Sequence, residues 1–309
     1  MLEWTRRAPV ALIVFNRPDT TARVFAEVAR ARPAKLFVIA DGPRAERSDE
    51  AGRCQAVRDI VQRVDWPCEL ITNFSEQNLG CKRRLSSGLD WLFSQTDEAI
   101  ILEDDCVPHP AFFRFADELL KRYRHEPRVA QICGVNFRER RDIPADSYYF
   151  SRYPHIWGWA SWRRAWRHYD VEMRSWPELR ETRWLPRTLG DSRQAAYWQR
   201  RFDRVHAGQI DTWDFQWTFA CWKNDLVSII PQSNLISNVG FGRDATHTRR
   251  KGSPLADLPA VGVEFPLRHP PSITRDPQQD DLTDAMFFSG TRTLSGLARR
   301  ALEQLRGFV

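Results

Sequence analysis

A chain of 309 residues, 42% hydrophobic and 28% charged, has the make-up of an ordinary globular protein, long enough for one large α/β core or two smaller ones. Its 46 lysines and arginines against 40 acidic residues leave a formal charge of +6 spread along the chain, which excludes a basic nucleic-acid arm and fits an anionic substrate or membrane surface. The six cysteines, Cys54, Cys68, Cys81, Cys106, Cys133 and Cys221, form no close pairs and lie mostly in apolar segments, which argues against a zinc cage or disulfide framework and points to a reducing cytoplasm.

Arg6 and Arg7 followed by an apolar run at 9–15 imitate a signal peptide. The run ends in Asn16-Arg17-Pro18-Asp19 with no small-residue cleavage site, and so reads as a first buried strand. Further short runs rich in Val, Ile and Leu at 36–40, 69–72 and 99–102 read as strands buried on both faces, hence a parallel sheet. Between them lie helical patterns at 20–32, 49–64 and 80–93, the second with Val57, Ile60, Val61 and Val64 on one face and the third with Leu85, Leu89 and Leu92. Turn signals at Asp41-Gly42-Pro43 and Asn78-Leu79-Gly80 complete the alternation. The fold class expected is α/β: a Rossmann-like half with a mostly parallel central sheet flanked by helices, whose ligands bind at the carboxyl ends of the strands.

The second half changes character. Ten of the thirteen tryptophans fall between Trp157 and Trp222, interleaved with arginine, so this region shapes a different pocket. Helices are expected at 192–206 and 211–224 and a strand at 227–231. Beyond Lys251, frequent proline and polar residues predict an extended tail, closed by a short helix at 293–308. That helix carries Leu294, Leu297 and Leu305 at helical spacing beside Arg292, Arg299, Arg300 and Arg306. It offers a surface for peripheral contact with the inner face of an anionic plasma membrane, or simply a face packed on its own domain. No segment approaches the ~18 apolar residues of a membrane span.

The most informative segment is the run 99–105, where a buried strand ends in Glu103-Asp104-Asp105. Three adjacent carboxylates repel one another unless a cation or donor groups compensate them. A hard divalent ion, Mn²⁺ or Mg²⁺, bound by one or two carboxylates and diphosphate oxygens, supplies that compensation and neutralises a departing nucleoside diphosphate. The bland reading, a solvated acidic turn, is disfavoured by the buried strand before it.

Ile101-Leu102-Glu103-Asp104-Asp105, with Pro108, Phe112 and Phe113 after it, resembles the strand end of the N-acetylglucosaminyltransferase that initiates complex N-glycans and of bacterial GT-A enzymes similar to it. Val14-Phe15-Asn16-Arg17 resembles that family's first strand, with Asn16 where the family has Asp, and Ile39-Ala40-Asp41-Gly42 its second. Gly158-Trp159, Trp213-Asp214 with Trp217, and Gly240-Phe241-Gly242-Arg243 with His247 resemble its acceptor side. The similarity spans about residues 8 to 250. It implies a single GT-A domain over 1–250, with a nucleotide-sugar half at 8–105 and an acceptor and catalytic half at 106–250, followed by an extension at 251–309.

The resemblance implies a role for each matching residue. Asp105 is the metal ligand, Glu103 and Asp104 face the ribose or base, and Asp41 reads the uracil ring. Asn16 and Arg17 lie at the nucleotide, and Arg243 and His247 reach the diphosphate or metal. Asp214 is the base that takes the acceptor proton in an inverting displacement. Chemistry adds that Arg17 presents a planar fork to a base or phosphate, that Asn78, Lys82 and Arg83 begin a helix whose free N–H groups attract anions, and that Asp211 and Asp214 suit an N-cap and a first turn. Trp157, Trp159 and Trp162 are candidate sugar platforms, or simply core. The implied partners are a nucleotide-sugar donor and a glycan or lipid-linked glycan acceptor, with no nucleic acid. A sugar nucleotidyltransferase shares the Rossmann-like half and the acids but normally carries a glycine-rich loop, absent at Asn16–Asp19. A non-catalytic carbohydrate-binding protein leaves Asp41 and the triplet unexplained.

Overall fold

The computed structural model describes residues 8–137, 146–241 and 258–288. Its first part alternates as the periodicities require: β1 (Val10–Val14), α1 (Pro18–Ala31), β2 (Lys35–Ala40), α2 (Glu50–Val61), β3 (Glu69–Phe74), α3 (Gly80–Gln95) and β4 (Glu98–Glu103). The apolar runs become β1, β2 and β4 because both faces of each are covered by helices. β3 departs from that expectation, since it is the edge strand and stays partly exposed.

There follow β5 (Cys106–Pro108), α4 (Pro110–Arg122), β6 (Val129–Cys133), β7 (Tyr148–Ser151), β8 (Trp159–Trp162), α5 (Arg163–Trp166), α6 (Trp176–Arg180), α7 (Trp184–Leu189), α8 (Ser192–His206), α9 (Asp214–Lys223), β9 (Val227–Pro231), β10 (Ile236–Asn238) and α10 (Pro277–Phe287). Eight strands form one sheet in the order β3-β2-β1-β4-β8-β6-β9-β7, and β10 pairs antiparallel with β5 in a second, two-stranded sheet. Only β8 and β7 run against β1, so the central sheet is mostly parallel and flanked by helices, the fold class expected.

Strand alternation splits the core in two. Val10, Leu12 and Val14 face the layer of α1, α2 and α4, whereas Ala11 and Ile13 face the layer of α3, α8 and α9. The second layer holds most of the tryptophans: Trp159 stacks on Trp213 with ring centroids 5.7 Å apart and lies 6.1 Å from Trp217. Trp159 and Trp162 are therefore core residues of β8 and not sugar platforms, at 1% and 2% exposure.

The tail is not merely extended, for α10 interrupts it. Asp276 caps α10, accepting from the Gln279 N–H, and Pro277 opens the helix. The helix is held to β7 by Asp280, buried against Arg152 at 3.3 Å, Arg275 at 3.1 Å and the Ser151 hydroxyl at 2.6 Å. The helix expected at 293–308 lies outside the described residues. Among the described residues no helix is long and apolar enough to cross a membrane.

Candidate functional site

The chain lays β2 and β3 on one side of β1 and returns to lay β4 on the other, so the topological switch point falls between the carboxyl ends of β1 and β4. Parallel register pairs Ile13 with Glu103, which puts the Asn16-Arg17 turn beside the acidic triplet. Arg17 bridges two of the acids: one guanidinium nitrogen bonds the Asp104 carboxylate and the other lies 2.9 Å from Asp105 Oδ2. The Phe15 N–H also donates to Asp104, at 3.3 Å. Burial works against the charge on Arg17, but the two aspartates more than offset it and hold its pKa above the ordinary value.

One cation does not balance three acids. Burial, then the charges of Asp105 and Asp104, push Glu103 up to about 8, with Arg17 opposing and Asp214 adding to the rise. Asp214, more than a hundred residues on, therefore lies within electrostatic reach of the triplet. The two-stranded sheet ties the far end of the chain to the same place. Asn238 pairs with Cys106, the Val239 N–H donates to the Asp105 carbonyl at 2.9 Å, and a Cβ on Gly240 would fall on the Asp105 carboxylate. Glycine is required there by close approach.

The other expected residues are held by protein partners. Asn16 is buried and its Nδ2 donates to Glu50 Oε1 at 2.8 Å. Asp41 is buried and takes four donors: the Gly42 and Leu79 N–H groups on Oδ1, both at 2.9 Å, and Asn78 Nδ2 at 3.0 Å and the Gly80 N–H at 3.2 Å on Oδ2. That fills its lone pairs, so contact with a ring N–H requires the 77–80 turn to rearrange.

The N-terminus of α3 is likewise not free for an anion. Besides Asp41, Asp211 accepts from the Lys82 N–H at 3.2 Å, and Lys82 Nζ turns to Glu172 at 3.4 Å. Asp211 is thus not the N-cap of α9, which begins at Asp214 with Trp213 in the cap position, because its carboxylate serves α3 instead. Arg243 and His247 lie outside the described residues.

Asp214 accepts a hydrogen bond from the Thr212 hydroxyl, and its own carbonyl accepts from Thr218 Oγ1 at 3.1 Å. It borders a cavity of about 290 Å³ whose wall includes Trp157, the one member of the early tryptophan group that is not core. Trp157 meets Phe241 edge to face, with centroids 5.8 Å apart, one residue beyond the Gly240 contact with Asp105.

A hard divalent cation suits these residues in chemistry: hard carboxylate oxygens outnumber the local cations, and one or two carboxylates completed by phosphate oxygens are the usual setting for Mg²⁺. Among the described residues no three His, Cys, Asp or Glu side chains gather into a cage, so Asp105 would serve as one ligand of a shared site, and Arg17 would have to yield its oxygen.

Sequence reasoning missed two organising groups. Glu50 bonds Arg44 and Asn16, chiefly the Arg44 side chain holding it down at about 2, and so braces the 41–50 loop. Arg84, buried, donates to the Ala40 carbonyl at 3.1 Å and Asn73 Oδ1 at 2.7 Å, tying the ends of β2 and β3 together. The signal available was an arginine on the apolar side of α3, one residue before Leu85.

No protein-family model matches the chain, and no curated protein matches it. Among solved structures it is similar to the mannosyltransferase PcManGT from Pyrobaculum calidifontis, in complex with GDP-Man and Mn²⁺, at 12% identity and a TM-score of 0.37. That match covers 55% of this chain and 49% of the other, so this chain spans about half of the mannosyltransferase. Mouse xyloside xylosyltransferase 1 is similar at 12% identity and a TM-score of 0.32, over 71% of this chain and 84% of that one. A 4-diphosphocytidyl-2C-methyl-D-erythritol synthase from Anaerococcus prevotii is similar at 11% and 0.28, over 51% and 72%. At these TM-scores the likenesses carry no argument on activity, which rests on this chain's own residues.

Proposed function

We propose that the chain is a GT-A glycosyltransferase that moves a sugar from a nucleotide-sugar of the UDP kind onto a hydroxyl of a glycan or lipid-linked glycan, with inversion. What carries this reading is the pairing of Arg17 with the acidic triplet at the switch point of the sheet, with Asp214, from the other half of the chain, near enough to add to the charge felt by Glu103. A base-and-phosphate ligand fits that crevice. Arg17 offers it a fork of donors, and Glu103 and Asp104 offer acceptors to a ribose or base. Asp105, with His247 from outside the described residues, would hold Mn²⁺ or Mg²⁺, an ion that when bound neutralises charge on the leaving diphosphate. Asp214 takes the proton of the acceptor hydroxyl as the new bond forms, with the Thr212 hydroxyl holding its Oδ1. Asn16 and Asp41 keep the nucleotide loops in place, and Arg243, from outside the described residues, would approach the phosphates. In this reading residues 8–105 serve the donor and 106–250 the acceptor, and the end of α10, in the 251–309 extension, adds Phe287 and Phe288 to the acceptor side.

Ligand-dependent unfolding tests it. A ligand at a hundred times its Kd stabilises by ~2.7 kcal/mol. UDP with Mn²⁺ is expected to raise the melting temperature of the wild type by several degrees, and Asp105→Ala to lose the Mn²⁺-dependent part. Absence of any shift with nucleoside diphosphates, with or without metal, would defeat the reading.

A further inference from the structure

The cavity beside Asp214 has a composition that selects its ligand. Its walls come from the segment after β7, the first turns of α9, Trp198 of α8, and Phe287 and Phe288 at the end of α10. Aromatic rings dominate: Phe137 meets Trp157 with centroids 5.0 Å apart and Phe287 at 4.7 Å, while Phe288 packs 4.7 Å from Trp198 and 5.4 Å from Tyr153. Asp214 is the sole carboxylate among the described lining residues, and none of them is a lysine or arginine. His155 brings no charge, since burial lowers its pKa to about 4.

Trp198 contributes ring surface to the wall: it is 1% exposed and its indole nitrogen is buried. The cavity volume, about 290 Å³, sits at the lower end of the ~300–1,000 Å³ of small-molecule pockets, so the part of a ligand seated here is a small ring system. The Trp157–Phe241 contact runs from this wall to the Gly240 loop against Asp105, joining the cavity to the triplet.

We propose that this cleft is the acceptor site and takes an uncharged pyranose, its apolar C–H face on the aromatic walls and the reacting hydroxyl at Asp214. The inference rests on the reading of Asp214 as the base. An acidic sugar is disfavoured: its carboxylate would meet aromatic faces, which are negative, and the Asp214 charge, with no cation among the described lining residues to balance it.

Saturation-transfer NMR on the full chain, with the methyl glycosides of glucose, galactose, mannose and N-acetylglucosamine against methyl glucuronide, tests the proposal. At least one neutral glycoside should bind, through its ring C–H protons, at least tenfold more tightly than the glucuronide. Trp157→Leu should weaken that binding roughly tenfold by loss of a stacking ring, and Phe287→Leu by about three- to tenfold for the same reason. Binding of the glucuronide as tight as that of the neutral sugars would overturn the proposal, as would wild-type affinity in both folded variants. UDP binding measured alongside separates the two readings: UDP bound with no glycoside bound overturns the acceptor assignment alone, and glycoside bound with no nucleotide bound overturns the donor assignment alone.

Discussion

Arg17 holds together what three like charges would push apart. Asp104 is 3% exposed and its principal cation is Arg17, so Arg17→Ala leaves a buried carboxylate without compensation. Breaking a buried pair from one side costs about 3–5 kcal/mol, and the partial exposure of Arg17 places this case at the lower end. Arg17→Lys should recover only part, because a point charge cannot span both aspartates as the planar fork does. Urea unfolding checks this, and equal midpoints for wild type and Arg17→Ala would contradict it. At this scale the sequence was readable where chemistry is local. The triplet after a buried strand announces uncompensated charge, and Asn16-Arg17 ends the neighbouring strand. The partners of Asp41 were not readable, since three of its four donors come from a turn 37 to 39 residues away.

Among the elements, α10 shows why pattern reading stops short. Its inward face is Gln279, Asp280, Thr283 and Asp284, polar residues that look like a solvated tail and are buried because Arg152, Arg275, Ser151 and Tyr153 meet them. β7 and β8, four residues each, are too short for alternation to declare itself, whereas β1, β2 and β4 were readable because continuous apolar runs are required of strands covered on both faces. α4 carried a full signal, with His109 capping, Pro110 at the first position and Phe112, Phe113, Phe115, Ala116, Leu119 and Leu120 inward, but its phenylalanines were read only as part of the strand-end motif.

The packing of α10 has a pH signature. Burial raises Asp284 to about 6, with the Tyr153 hydroxyl opposing the rise. An unfolded aspartate titrates near 4, so between about pH 4 and 6 the folded state holds the extra proton and stability falls as pH rises, levelling above 6. Asp284→Asn, which keeps an acceptor for Tyr153 and removes the charge, should melt higher than wild type above pH 6 and converge with it near pH 4. A pH series of melting temperatures with a constant gap would refute the assignment.

For the whole molecule, the sheet and the small β5–β10 pair do one thing together: they bring strand ends from the first hundred residues and the segment up to Gly240 together at the acidic triplet. The tryptophan-rich layer fixes the start of α9 through Trp213, stacked on Trp159, and Trp217, tilted against it, and so places Asp214. Pairings of that range, β8 with β4 and β10 with β5, are invisible to local periodicity, which is why the halves were readable separately and their junction was not.

The central claim, sugar transfer with Asp214 as the base, is tested most directly by turnover of a panel of UDP-sugars with Mn²⁺ and a neutral glycoside acceptor. Released nucleotide, pyrophosphate and the anomeric configuration of the product are read together by NMR. The wild type is expected to release UDP and form an inverted glycoside, and Asp214→Asn to turn over ~100-fold or more slower with UDP affinity retained, the scale of a lost general base. Pyrophosphate release, a retained anomeric configuration, or near wild-type transfer by Asp214→Asn would contradict it.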